Sequence, residues 1–188
     1  MKTLALLTTV AAMALAAPGA KAQSIPEKTG INSTLGISPS TQDFVTEAAM
    51  SDMLEIESSK LAQQKADASS KQFAAKMITD HTKTSEELKS LVQSGKVKAD
   101  LPTALDKSHQ DKLEKLKASN SFDKDYDSMQ VSAHKDAVSL FERYGKSGDN
   151  DALKAFASKT LPTLQDHLKM AQDLEKSDSS PTVGEGKH

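Results

Sequence analysis

The chain has 188 residues, no cysteine and no tryptophan, and its 24 basic and 26 acidic side chains leave a formal charge of −2. Without cysteine, disulfides, thiolate metal sites, a cysteine nucleophile and the lipid-attachment residue of a bacterial lipoprotein are all excluded. The near balance of charge, with Lys112, Lys115 and Lys117 interleaved among acidic residues, leaves no footprint for nucleic acid.

Aromatic residues make up only 4% of the chain, so a core must come from Leu, Ala, Met, Val and a few Phe. The Ala-, Leu-, Lys-, Gln- and Glu-rich composition favours helix, and sparse Val and Ile argue against sheet. Residues 1–22 read as an export signal: Lys2, an apolar run from Leu4 to Ala17, a break at Pro18-Gly19 and the small-residue site Ala20-Lys21-Ala22. Cleavage is expected after Ala22, and the apolar run is short for a membrane span. The protein is therefore expected in the periplasm or secreted. Losing Lys2 and Lys21 would leave 22 basic against 26 acidic side chains, a net of −4.

Residues 23–39 carry Pro26, Gly30, Gly36 and Pro39 without periodicity, the pattern of a flexible leader. The first major helix is expected from the capping box Ser40-Thr41-Gln42-Asp43 to about Ala68. Its apolar stripe holds Phe44, Ala48, Ser51, Leu54, Glu55, Ser58, Leu61 and Ala62. A second helix follows a break at Ser69-Ser70, with Phe73, Ala74, Met77, His81, Leu88, Leu91 and Val92 facing inward, and stops at Gly95.

Residues 96–121 form a long connection with Pro102 and a minor helix around Leu105, Leu113 and Leu116. A third major helix spans Phe122 to Tyr144, with Tyr126, Met129, Gln130, Ala133, His134, Ala137, Leu140 and Phe141 on its buried side and Gly145 as its end. The fourth, capped by Asp149 or Asn150, carries Leu153, Phe156, Ala157, Leu161, Leu164, His167, Leu168, Ala171 and Leu174. Pro162 inside it predicts a kink, or a restart capped by Thr160. Residues 177–188 read as a polar tail. The prediction is thus an all-α fold, a four-helix bundle over 40–176 with a minor helix between major helices two and three. The connection is long enough to run back along the bundle, the crossover of ferritin-like folds, although simple up-down-up-down remains open.

The chemistry lies in polar residues on apolar stripes. His81, His134 and His167 fall one on each of the last three major helices, and Glu55 stands on the first between Ser51 and Ser58. Their heights along the helices agree within about five residues, or roughly 7 Å, so they can share one layer. Imidazoles with a carboxylate suit a divalent transition metal, and Glu55, His81, His134 and His167 are the candidate ligands. Met77 and Met170 share helix faces with His81 and His167, a pattern that would suit copper, though methionine commonly fills cores. The plainer alternative is a polar layer whose histidines bond backbone carbonyls or side chains. Asp80 and Asp166 adjoin their histidines in sequence but point about 100° away, towards solvent or a neighbouring helix.

Ferritin-type di-iron sites need Glu-x-x-His pairs. Here Ile78, Val131 and Leu164 precede the three histidines by three, which argues against an oxygen-activating di-iron enzyme. No phosphate loop, G-x-S-x-G or H-E-x-x-H is present, so no catalytic residue is assigned.

Four segments carry a family resemblance: AAMSDMLEIESSKLAQQKA (48–66), FAAKMITDHTKTSEEL (73–88), FDKDY-x-x-MQVSAH (122–134) and LPTLQDHLKMAQDL (161–174). Together they resemble the DUF4142 family of exported bacterial proteins across residues 41–175. The resemblance implies a ferritin-like bundle labelled as outer-membrane or periplasmic, without an established activity. It also places His81, His134 and His167 at the family's characteristic histidine positions. An outer-membrane location fits poorly, because nothing reads as a barrel strand. Three functions follow: an exported stress-related or metal-binding module, a structural or protein-interaction bundle without metal, and a metal-dependent redox enzyme. A protein partner or homo-oligomer is left open.

Overall fold

The computed structural model describes residues 36–179. The expected signal peptide, most of the leader and most of the tail lie outside the described residues. Among the described residues there are five helices and no strand: α1 Thr41–Lys65, α2 Ala68–Gln93, α3 Lys107–Lys117, α4 Phe122–Ser147 and α5 Asp151–Ser179. No helix among them is long and apolar enough to cross a membrane.

Local chemistry sets most boundaries. Ser40 caps α1, its hydroxyl accepting from Asp43 N at 3.2 Å and donating to the Asp43 carboxylate at 2.8 Å. The first break falls earlier than Ser69-Ser70. Ala66 is extended and Asp67 caps α2, accepting from Ser70 N at 2.8 Å, so both serines lie inside the helix. Gly95, at φ +74°, follows the end of α2 as expected.

Gly145 does not end α4; the helix continues to Ser147. A Cβ at position 145 would come within 2.9 Å of Ser158 Oγ, so the missing side chain serves the close approach of α5. Asn150 caps α5, its side-chain oxygen accepting from Leu153 N at 3.0 Å. That helix runs through Pro162 without restarting at Thr160. Pro162 and Ser158 are both exposed residues, and proline leaves the Ser158 carbonyl without its intrahelical partner.

Cross-helix contacts give the directions. Thr41 meets Tyr144 and Ser59 meets Tyr126, so α1 and α4 are antiparallel. His81 meets Asp52 in α1, and Asp80 and Glu87 meet His167 and Lys159 in α5. Each long helix therefore packs against two antiparallel neighbours, in the cyclic order α1, α2, α5, α4. Helix α2 ends at the end of the molecule where α4 also ends. Residues 94–121 accordingly carry the chain back along its length, and α3 within them lies against α1 and α4.

The apolar interior is split in two. Towards one end Phe44, Leu88, Phe141, Tyr144, Leu153, Phe156 and Leu164 pack together. Towards the other end a second cluster forms from Ala62, Phe73, Met77, Leu116, Tyr126 and Ala171. Between them lies a layer of buried polar side chains.

Candidate metal centre

The layer comprises Asp52 and Glu55 from α1, His81 from α2, Gln130 and His134 from α4, and His167 from α5, all 3% exposed or less. Each histidine is surrounded by apolar residues at the helical spacing of its own stripe, so burying that stripe carries the imidazole inward. The three rings form a near-equilateral triangle, with centroid separations of 5.6, 5.4 and 5.4 Å. One ligand atom from each of His81, His134 and His167 lies within 4.8 Å of the other two. An ion with imidazole bonds of roughly 2.0–2.1 Å needs only small side-chain shifts to reach all three.

Hydrogen bonding fixes which nitrogens face inward. His81 Nδ1 lies 2.7 Å from Asp52 Oδ1, and the other Asp52 oxygen accepts from Ser85 Oγ at 3.0 Å. His134 Nδ1 lies 2.9 Å from the Gln130 carbonyl, and His167 Nε2 lies 2.9 Å from Asp80 Oδ2. Carboxylates and a carbonyl only accept, so each of these nitrogens must donate. The opposite nitrogens, His81 Nε2, His134 Nε2 and His167 Nδ1, are buried and have no hydrogen-bond partner. Neutral rings held this way direct lone pairs inward, with carboxylates behind two of them, which is the supporting pattern of metal-bound histidine. Buried polar atoms rarely lack partners, and three clustered imidazoles that each keep such a nitrogen suit a cation.

Electrostatics separates the rings. Burial pushes His134 down to about 3, reinforced by the charge of His81. Burial also lowers His167, to about 4, against the opposing hydrogen bond that it donates to Asp80. These two are neutral at pH 7 and ready to coordinate. Burial acts downward on His81 as well, but the hydrogen bond and charge of Asp52, joined by Glu55 and Asp80, outweigh it and raise the pKa. In the metal-free protein His81 thus tends to hold a proton that a bound ion would displace.

Glu55 belongs to the same layer but stands apart from the three converging nitrogens. Its Oε1 lies 3.6 Å from His134 Nδ1, the nitrogen already bonded to Gln130. Neither of its oxygens has a hydrogen-bond partner. Burial pushes its carboxyl up to about 7, partly offset by His81. The Gln130 amide also favours the charged form, yet its hydrogen bond goes to Ser58 Oγ at 3.0 Å.

Met170 is 37% exposed and takes no part in the layer, because a position three residues after His167 falls to the side of the buried stripe. Met77 is fully buried in the cluster beside Phe73. His109 pairs with Asp106 at the start of α3 and is not part of the triad, and His188 lies outside the described residues. Sequence reasoning missed Asp52, whose place three residues before Glu55 was its only signal. It left Asp80 between solvent and a neighbouring helix, and the structure gives it to His167 on α5.

No curated protein matches the chain. Among solved structures it is similar to "CopM in the Cu(II)-bound form", at 17% identity and a TM-score of 0.64, covering 75% of this chain and 99% of that one. "CopM in the Cu(I)-bound form" matches at 16% identity and a TM-score of 0.64, covering 76% and 100%. Identities this low establish a shared fold alone. The family model described as a domain of unknown function, DUF4142, matches residues 26–174, and the chain belongs to that family.

Proposed function

We propose that this protein is an exported, ferritin-like four-helix bundle that binds one divalent transition metal at His81, His134 and His167. The observation that carries the reading is a buried triad in which one ligand atom of each imidazole lies within 4.8 Å of the other two and each ring keeps a nitrogen without a hydrogen-bond partner. Three imidazoles suit copper, zinc, iron or nickel, and the Irving–Williams order places Cu(II) highest among them. The fold shared with a protein solved in two copper-bound forms makes copper the first ion to test. Asp52 and Asp80 would hold two of the ligand rings in the coordinating tautomer. Glu55 would supply a compensating carboxylate beside His134. The ion would serve for sequestration or carriage, since nothing near the triad reads as a substrate-activating group. Export rests on the signal-like residues 1–22.

The test is metal analysis of protein purified without an affinity tag, followed by titration with Cu(II), Zn(II), Fe(II) and Mn(II). The variant with all three histidines changed to alanine is the control. One ion bound per chain, lost in that variant, is expected. If no metal co-purifies and none of the four ions raises the melting temperature, the reading fails and an interaction bundle without metal takes its place.

A further inference from the structure

The triad is sealed from water on nearly every side. Side-chain exposure is 2% for His81 and 4% for Asp52, and 0% for His134 and 1% for Glu55. Of the groups hydrogen-bonded to the three imidazoles, Asp80 alone reaches solvent appreciably, with a side chain 26% exposed. It sits at the seam between α2 and α5. His167 is accordingly the one ring of the triad with a nitrogen on a solvent-touching group, while its other nitrogen is buried without a partner.

A single oxygen joins surface to interior. Asp80 Oδ2 accepts from His167 Nε2 at 2.9 Å and from the Lys76 ammonium at 2.7 Å. Lys76 lies one turn earlier on α2 and its side chain is 44% exposed. It forms an ion pair with Asp80. An ammonium there covers the carboxylate and repels an approaching cation, and it is held only by a surface pair that breaks at little cost.

We propose that Asp80 is the entry ligand of the triad. An incoming divalent cation is held first by the Asp80 carboxylate at the α2–α5 seam. Rotation of the His167 ring then passes it inward, and Lys76 acts as a removable cap. No bond to carbon breaks; the step exchanges oxygen and water ligands for nitrogen, and the proton that His81 holds in the metal-free protein leaves to water as the ion binds. The inference rests on the reading of the triad as a metal site. It adds a direction of approach and a residue that controls the rate.

The experiment is stopped-flow mixing of tag-free protein with aqueous Cu(II), followed by ligand-field absorption. Wild type is compared with Asp80→Asn, Lys76→Met and Glu87→Gln. Asparagine at 80 keeps an oxygen for His167 and removes the charge. Its association rate is expected to fall by about 10-fold or more, within the range electrostatic focusing spans. Lys76→Met is expected to raise the rate by roughly 3- to 10-fold and to weaken its salt dependence. Glu87→Gln removes a carboxylate two turns along the same helix, paired with Lys159, and is expected to stay within about 2-fold of wild type. Lys76 and Glu87 are surface positions, and melting curves check that each variant is folded. If wild type binds Cu(II) while Asp80→Asn and Lys76→Met associate at the wild-type rate, the entry route is overturned and the metal site stands. An equal slowing by Glu87→Gln overturns it too, since general surface charge would then explain the effect. If wild type binds no metal, the metal reading and the entry route fall together.

Discussion

Asp52→Asn isolates the charge behind His81. The pair meets at 2.7 Å with both side chains buried, and asparagine preserves the shape and an oxygen for Nδ1–H. In wild type the hydrogen bond and charge of Asp52 help to overcome burial and raise the His81 pKa above its ordinary 6.5. A raised folded-state value contributes stability that is fully present below pH 6.5 and is lost as pH rises through the folded value. With Asp52 neutralised, burial should win, as it does for His134 at about 3. The variant would then lose stability as pH falls below 6.5, because its unfolded chain takes a proton that its folded state refuses. The gap between the two proteins must therefore widen on acidification, by roughly 1.4 kcal/mol per pH unit below 6.5. For a domain of this size that is about 3–5 °C in melting temperature per unit. At the alkaline end a hydrogen-bond difference of about 1 kcal/mol remains. Urea unfolding followed by circular dichroism, from pH 5.5 to 8.5, measures the gap. A gap that is constant, or that narrows towards acid, would refute the reasoning.

Two further outcomes have sizes set by the structure. If the triad binds Cu(II), a free ion concentration 100 times the dissociation constant should stabilise the protein by about 2.7 kcal/mol; thermal melts with and without Cu(II) check this. Gly148→Ala places a Cβ 2.4 Å from the Tyr144 ring. That ring is fully buried and its hydroxyl bonds Thr41 and Asp149, so it cannot easily move. Overpacking there should cost about 1–3 kcal/mol by denaturant unfolding.

The three histidines are legible in the sequence because each falls on a stripe dominated by apolar residues, and one helix's periodicity is enough to find such a residue. Asp52 escaped for a different reason. Helix α1 packs against α2, α3 and α4, so its buried face is wide: Val45, Ala49, Asp52 and Ser59 are inside along with Phe44, Ala48, Leu54, Glu55, Ser58 and Ala62 of the expected stripe, while Ser51 and Leu61 are half-buried. A charge on the second flank of such a face looks like a surface residue until the neighbouring helices are in place. Asp80 poses the same difficulty from outside. Its partner His167 lies 87 residues away, and the crossing of α2 over α5 decides the pairing. Gly145 looked like a terminator because glycine commonly ends helices. The need it serves, a close approach to Ser158, is a tertiary one.

Glu55 allows a separate test of whether the polar layer exists for stability or for something it binds. Its carboxylate is buried with both oxygens unpartnered, and burial lifts its pKa to about 7. A carboxyl raised in the folded state holds a proton between its unfolded value of 4.5 and about 7. Stability therefore falls as pH rises through that window and levels off above it. A shift of this size corresponds to roughly 3 kcal/mol lost between acid and pH 8. Glu55→Met keeps similar volume and brings no charge, so the metal-free variant should be more stable than wild type at pH 8 and nearly equal to it at pH 4.5. Unfolding curves at the two pH values decide the matter. A variant destabilised at pH 8 would mean that Glu55 is already satisfied by the apo fold and that the layer is structural. A variant stabilised without metal, but less stabilised than wild type by Cu(II), would identify Glu55 as a group kept at a cost to folding because it compensates a bound ion's charge.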